Sequence, residues 1–273
     1  MALAAAAGLG GYKYRDTGVS EPPIGEPPTT LPPQPGTVVP PPGTPTPTPS
    51  PTTPAPPPAP ATTVPPATAP VPLGPARFVR QGNPTRPEVA LTFHGNGDPA
   101  LAEALLAVLA KANTPVTIFA VGAWLADYPT MATRLANAGH EVANHTYTHP
   151  ALGQMGAATV ADEIIRCRDL LARQLPQPSP WFRPSGIEIP TATILAQAGA
   201  AGYHTVVGYG VDSLDFTDPG ADAVVANTLA GLAPGAIVSL HTGHPDTIAA
   251  MPAILAGIAA RRLTPVTVST LLR

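Results

Sequence analysis

The sequence predicts an α/β fold, a distorted parallel (β/α) barrel of about seven strands, preceded by a disordered proline-rich segment. From about Arg77 onward, short apolar runs alternate with longer stretches of helical periodicity; the runs are EVALTF, VTIFAV, EVAN, WFRP, HTVVGY, AIVSL and PVTVS. Such alternation is typical of a parallel sheet, either open or closed into a barrel. Before that point, between Pro22 and Pro75, the chain carries more than half of its 40 prolines. Few large apolar side chains accompany them, so burial cannot offset the entropy of ordering.

These changes in composition divide the chain into three parts. Residues 77–273 are expected to form one catalytic domain, and residues 21–76 a linker that reaches on the order of 150 Å if extended as polyproline II. Residues 1–20 begin with MALAAAAGLGGY, which lacks a basic n-region and is too short to span a bilayer. We interpret this segment as the remnant of a signal or anchor. With the tether behind it, it predicts an extracellular or cell-envelope location, with no transmembrane span in this chain.

Charge and cysteine content exclude several classes of function. The formal net charge is -3 and no run of basic residues is present, which argues against nucleic acid or an anionic membrane surface as a partner. Cys167 is the only cysteine, so an intrachain disulfide and a thiolate metal cluster are both excluded. Because Cys167 shares a helical face with Ile164 and Leu171, we expect it in the core. None of these features predicts the oligomeric state.

Titratable or cationic side chains follow five of the predicted strands. The five residues are His94, His145, Arg183, Asp212 and His241. In parallel α/β folds the carboxyl ends of the strands carry the functional groups, and five such groups at one end are hard to obtain from packing alone. The sequence therefore predicts a single active site at this end of the sheet.

Two segments within that set indicate a metal centre. In HTYTH, His145 and His149 are four residues apart, a spacing that lets two neutral imidazoles bind one ion. In LTFHGNGDP, His94 and Asp98 flank a glycine-rich turn where backbone can approach a ligand closely. The second segment also has a purely structural interpretation, with Asp98 capping a helix that begins at Pro99. The two interpretations of Asp98 are compatible.

From Glu88 to the C-terminus, the chain resembles the polysaccharide deacetylases of the NodB-homology type, carbohydrate esterase family 4. Five segments are similar to the family's motifs and occur in the family's order. Thr92 and Phe93 resemble the start of TFDD, HTYTH matches HxxxH, FRPSG is similar to RPPYG, DSLDF to DxxDW, and VSLH to LxLH. The resemblance implies a hydrolase of carbon–nitrogen bonds other than peptide bonds.

The resemblance further implies a metal ion held by one aspartate and two histidines, a base that activates water, and an acid that protonates the leaving amine. Here the implied ligands are Asp98, His145 and His149, and the expected ion is Zn, although Co, Mn, Fe and Ni accept the same donors. His241 would be the general acid.

Other positions follow from the same motifs. Arg183 would pair with a carboxylate, and Asp212 or Asp215 would orient its neighbours, with Asp212 the favoured choice. Phe216 and Leu240 would contact the substrate.

The first motif departs from the family, because its two adjacent aspartates, base and ligand, are replaced by the segment His94-Gly95-Asn96-Gly97-Asp98, and one carboxylate is missing. Either Asp98 is the third ligand with His94 as base, or His94 is a ligand and Asp98 the base; an inactive relic is the remaining alternative. Ser185 stands where the family has an aromatic residue and Phe216 where it has tryptophan, so the substrate contacts are altered. His204 is left unassigned, and His244 is interpreted as a residue that shapes its loop.

The sequence thus leads to a metal-dependent hydrolase that removes N-acetyl groups from an amino-sugar polysaccharide such as peptidoglycan or a chitin-like glycan. Two alternatives remain. One is a noncatalytic carbohydrate-binding relic of the same fold, and the other is a metal-dependent amidohydrolase that acts on a different small amide.

Overall fold

The computed structural model describes residues 74–273. The predicted N-terminal segment, residues 1–20, and all but the end of the predicted linker, residues 21–76, lie outside the described residues. Among residues 74–273, no helix is long and apolar enough to cross a bilayer.

One curled sheet forms the centre of the described domain. Its strands are β1 (Arg77–Val79), β2 (Glu88–Gly95), β3 (Thr117–Ala120), β4 (Glu141–Asn144), β5 (Trp181–Phe182), β6 (Thr205–Val207), β7 (Val211–Asp212), β8 (Ile237–His241) and β9 (Thr264–Pro265). They are ordered β1-β6-β5-β4-β3-β2-β8-β7, with β9 added to β2, and all these ladders are parallel. The predicted parallel (β/α) barrel is thereby confirmed.

Helices follow most strands, as a parallel sheet requires, because each crossover must return the chain to the same end. They are α1 (Pro99–Lys111), α2 (Gly122–Asp127), α3 (Met131–Asn137), α4 (Ala157–Gln174), α5 (Ala192–Ala200), α6 (Ala221–Ala230), α7 (Pro245–Ala260) and α8 (Val268–Leu271). Helix α1 begins as the sequence suggested, since the Asp98 carboxylate accepts the amide of Ala100 and Pro99 fills the first turn.

Side chains of the strands alternate between two packed faces. On β2, Leu91 and Phe93 join the cluster that the outer helices cover, while Ala90 joins a smaller interior cluster with Phe119 and Val207. Because the side-chain period of a strand is two, every second residue after Ala90 faces the same interior. His94 lies four positions beyond Ala90, so strand geometry directs it inward at the carboxyl end.

The structure differs from the sequence-based expectation in three segments. PVTVS, residues 265–269, was expected to be a strand, yet only its first residue, Pro265, belongs to the two-residue β9, and α8 begins at Val268. Strands β1 and β7 were not predicted, because three and two residues give no usable period. The core placement of Cys167 is confirmed, and burial raises the pKa of its thiol to about 12, so it is unreactive.

Candidate metal centre and active site

Three imidazoles meet at the carboxyl end of the sheet. His94 lies near the end of β2, while His145 and His149 belong to the loop after β4. One ring nitrogen from each lies within 4.8 Å of the others. The Nε2 atom of His145 is buried and has no hydrogen-bond partner within residues 74–273, which is costly unless a ligand binds it. Three converging imidazoles with one orphaned nitrogen are the donor set that a divalent transition metal prefers.

The orientation of His145 is set from the neighbouring strand. Its Nδ1 lies 2.9 Å from the backbone carbonyl of Arg183, so Nδ1 carries the proton and Nε2 remains a lone-pair donor. Such a hydrogen bond on the second ring nitrogen is the usual way in which proteins fix a metal-binding histidine.

Burial keeps the cluster neutral. Desolvation, followed by the neighbouring His145 and His241, holds the pKa of His94 well below its ordinary value. Desolvation, followed by the neighbouring His149, also holds the pKa of His145 well below its ordinary value. Both rings are therefore unprotonated near neutral pH, which is the form that binds metals.

A hydrogen-bonded His–Asp pair, with a buried carboxylate, stands beside the cluster. The Nδ1 of His241 is 2.7 Å from Oδ1 of Asp215, and the backbone amide of His241 donates to Oδ2 at 2.7 Å. Thr247 also donates its hydroxyl to Oδ2. Burial alone would raise the pKa of Asp215, but these hydrogen bonds and the adjacent imidazole lower it, and the net pKa lies below the ordinary value. Asp215 thus remains an anion that orients His241 and stabilises its protonated form.

The preference for Asp212 over Asp215 requires correction. The carboxylate of Asp212 accepts the amide of Leu214 in a local turn, and desolvation raises its pKa. Asp215 holds His241 because the chain reverses through the αL residue Leu214, which turns the second carboxylate inward. Sequence alone could not separate two aspartates three positions apart in DSLDF.

The expected ion pair of Arg183 also requires correction. The guanidinium is buried, donates to the carbonyls of Val207 and Gly208, and lies over the ring of Phe119. No carboxylate of residues 74–273 lies within ion-pair distance of it, and its Nη1 is buried without a partner. Desolvation lowers the pKa of Arg183 to about 9.

The remaining predicted site residues fall in different places. Asp98 is exposed at the helix cap and is not among the clustered ligand atoms. Phe216 lies with its ring centroid 5.6 Å from that of His241, at the edge of the site. Leu240 requires correction as a substrate contact, because it is fully buried on the outward face of β8, where it packs in the core.

Two departures from the family motifs have structural roles. Ser185 is buried, donates to the carbonyl of Pro150 and receives a hydrogen bond from Thr146, so it joins the loops after β4 and β5. His244 precedes α7 and its Nδ1 contacts Asp218, in agreement with a role in shaping that loop. His204 is exposed at the start of β6.

One residue that touches the site escaped the sequence analysis. Glu163 of α4 is buried, and its carboxylate accepts the backbone amides of Tyr147 and Thr148 inside HTYTH. The sequence pattern could have pointed to Glu163, because it lies on the same helical face as Val160 and Cys167, where an acidic residue is unexpected.

Comparison with known proteins places these features in a family. The polysaccharide deacetylase model matches residues 81–206. A chitooligosaccharide deacetylase of Bradyrhizobium sp. (strain ANU 289) is 38% identical over 157 residues, which cover 58% of this chain and 71% of that protein.

Two solved structures share the fold. The peptidoglycan N-acetylglucosamine deacetylase Bc1960, in complex with a naphthalenyl N-hydroxybenzamide, superposes with a TM-score of 0.68 at 25% identity, and the match covers 72% of this chain and 93% of that one. A family 4 carbohydrate esterase of Streptomyces lividans in complex with acetate superposes with a TM-score of 0.61 at 31% identity, and the match covers 65% of this chain and 91% of that one. The chain belongs to the polysaccharide deacetylase family of the NodB-homology type, carbohydrate esterase family 4, and with it to the predicted class of hydrolases of carbon–nitrogen bonds other than peptide bonds.

Proposed function

We propose that this protein is a metal-dependent deacetylase that removes N-acetyl groups from an amino-sugar glycan, of the chitin or peptidoglycan kind. The observation that carries the proposal is the convergence of His94, His145 and His149 next to the His241–Asp215 pair. Amide hydrolysis needs a Lewis acid to activate water and the carbonyl, and a group that transfers protons; an imidazole paired with a buried carboxylate can transfer them. The substrate class is inferred from the relatives, which include a chitooligosaccharide deacetylase and a peptidoglycan N-acetylglucosamine deacetylase.

The three histidines fit a divalent ion, and we propose Zn as that ion. The orphaned Nε2 of His145 supports this fit, as does the low pKa that keeps His94 and His145 unprotonated. When bound, the ion would acidify a water molecule and polarise the acetyl carbonyl. Imidazole donors also suit Co, Fe and Ni.

Of the two assignments for the first motif, the geometry favours His94 as the third ligand. Its ring nitrogen belongs to the cluster, whereas Asp98 is engaged in capping α1. If His94 is the third ligand, it takes the place of the ligand aspartate of the usual motif, the base aspartate has no counterpart, and proton transfer falls to another group.

His241 is the group that can take over both proton transfers. Its Nδ1 is held by Asp215, which leaves Nε2 as the atom that exchanges protons. We propose that Nε2 accepts a proton from the attacking water and then donates it to the nitrogen of the breaking carbon–nitrogen bond. The products are the free amine and acetic acid, which releases its proton to become acetate. Asp215 stabilises the imidazolium between the two steps.

The substrate is expected to be an immobile polymer in the cell envelope or outside the cell. The proline-rich composition of residues 21–76 supports this proposal, because the tether that it predicts would help a domain reach a fixed substrate and would offer little for a diffusing metabolite.

The altered first motif favours one competing function. Because the paired aspartates are absent, the same fold could bind a glycan without hydrolysing it. Arg183 and the complete His241–Asp215 pair argue for an enzyme, since a binding module has no use for a proton-transfer pair.

The decisive experiment uses the full chain, stripped of metal and reloaded with Zn or Co. Acetate release from N-acetylglucosamine oligomers is measured for the unaltered protein and for His145→Ala. Metal-dependent release that His145→Ala abolishes supports the deacetylase. Stoichiometric metal without release would indicate a different amide substrate, and neither metal nor release would favour the glycan-binding relic.

A further inference from the structure

Glu163 is bonded to the loop that separates the two histidines of HTYTH. Its side chain belongs to α4 and the residue is only 4% exposed. Oε2 accepts the backbone amides of Tyr147 and Thr148, each at 2.8 Å, and Oε1 accepts the hydroxyl of Thr148 at 2.6 Å. All three of these donors lie between His145 and His149, so within residues 74–273 the hydrogen bonds of the carboxylate go to the segment that presents the two rings.

That segment has a backbone conformation that needs support. Thr146 and His149 have φ values of 68° and 61°, in the left-handed region that residues with a Cβ avoid. Each such residue costs on the order of 1 kcal/mol or more. Hydrogen bonds to an ionised acceptor are worth about 1.5–3 kcal/mol each, so Glu163 can offset this strain.

His149 depends on this support more than its partners do. His145 is buried and its second nitrogen is fixed by the carbonyl of Arg183, whereas His149 is exposed. Packing therefore constrains His149 weakly, and the position of its ring follows from the backbone of the loop.

The charge of Glu163 points in the same direction. The clustered donors are three imidazoles without a carboxylate, and Arg183 adds a buried positive charge nearby. None of the three ligands of a divalent ion there would carry a negative charge. An anion directly behind the loop lessens the electrostatic cost of holding the ion.

We infer that Glu163 is a positioning residue of the metal site, which fixes the HTYTH loop in its ligand-presenting conformation and supplies a compensating negative charge. This inference rests on the metal-binding function proposed above. Nothing in the five motifs assigns it, since Glu163 lies between the second and the third.

The test compares Glu163→Gln with Glu141→Gln in the full chain. Glu141 is a suitable control because its carboxylate is also multiply bonded, to Thr117, Ser179 and Ser269, at the start of β4, the opposite end of that strand from the site. Zn affinity is measured by competition with a chelator, and the visible spectrum of the Co-loaded protein reports ligand geometry. Unfolding of the metal-free variants measures stability separately.

We expect Glu163→Gln to weaken Zn binding about 10–100-fold and to change the Co spectrum, because removing a residue that supports metal ligands by hydrogen bonds commonly reduces metal affinity by this much. Glu141→Gln should leave affinity within about twofold even though it destabilises the fold. Equal Zn affinity in Glu163→Gln and the unaltered chain would overturn the inference, and so would an equal loss in both variants.

A milder variant covers the case in which Glu163→Gln does not fold. Thr148→Val removes only the hydroxyl that donates to Oε1, at an exposed position, and should weaken Zn binding severalfold. Unchanged affinity there would overturn the role of Glu163. If the unaltered chain itself binds no metal, the metal site proposed above is refuted, and this role falls with it.

Discussion

Replacing Asp215 by Asn removes one negative charge from a buried hydrogen-bonded position. Oδ2 of Asp215 accepts the amide of His241 and the hydroxyl of Thr247, and Oδ1 accepts Nδ1 of His241. The carbonyl oxygen of Asn can keep the first two bonds. Its amide group then faces Nδ1, which cannot donate to it, so the imidazolium loses its acceptor.

The size of the effect follows from that single lost interaction. A hydrogen bond to a charged partner contributes about 1.5–3 kcal/mol. If it stabilises the protonated intermediate of His241, its loss lowers kcat by about 10–150-fold, at about 1.4 kcal/mol for each factor of ten. Metal binding should be unaffected, because Asp215 does not contact the three clustered histidines.

The assay is acetate release from N-acetylglucosamine oligomers by the Zn-loaded protein, with bound metal quantified in each sample. Asp212→Asn is the matched control, since Asp212 lies three residues away and, within the described part of the chain, its side chain accepts a single hydrogen bond, from the amide of Leu214. Its kcat should change by less than about threefold.

Two results would refute this reasoning. One is a fall in the kcat of Asp212→Asn that equals or exceeds the fall in the kcat of Asp215→Asn, which would assign the orienting role to Asp212. The other is loss of metal from Asp215→Asn, which would mean that Asp215 acts on the metal site and not on His241.

Three further predictions follow from the site. His94→Ala should lose Zn, whereas Asp98→Ala should retain Zn and lose about 1 kcal/mol of folding stability, because it removes only a helix cap. Metal analysis and urea unfolding measure the two effects. Loss of Zn from Asp98→Ala with retention in His94→Ala would restore Asp98 as the ligand. The pKa values of His94 and His145 are lowered in the folded state, so the unfolded chain binds more protons below about pH 6.5. The free energy of unfolding of the metal-free protein should therefore fall by up to about 1.4 kcal/mol per pH unit for each histidine as the pH falls from 7.5 to 5.5. A free energy of unfolding that does not depend on pH would contradict this. Gly97→Ala should destabilise by at least about 1 kcal/mol and lower acetate release, because φ is 94° and the new Cβ would lie 3.0 Å from Gly243; unchanged unfolding would contradict it.

The barrel was predictable because its signals are local. The run EVALTF and the helix around Cys167 have the periods of a strand and a helix, and each period reflects which side chains face the core. Strand β7 and helix α8 were not predictable, since so few residues give no period and their conformation is decided by neighbouring elements.

The members of the site were predictable from chemistry, whereas their partners were not. His94, His145 and His241 stand at the ends of strands, and the sequence by itself determined that they meet, because the carboxyl ends of parallel strands share one edge. Only the tertiary structure decided that Asp215 holds His241, that Arg183 has backbone carbonyls as partners, and that Glu163 lies behind the metal loop. Hydrogen-bond partners depend on where side chains far apart in sequence come to lie within about 3 Å, and no local pattern specifies that distance.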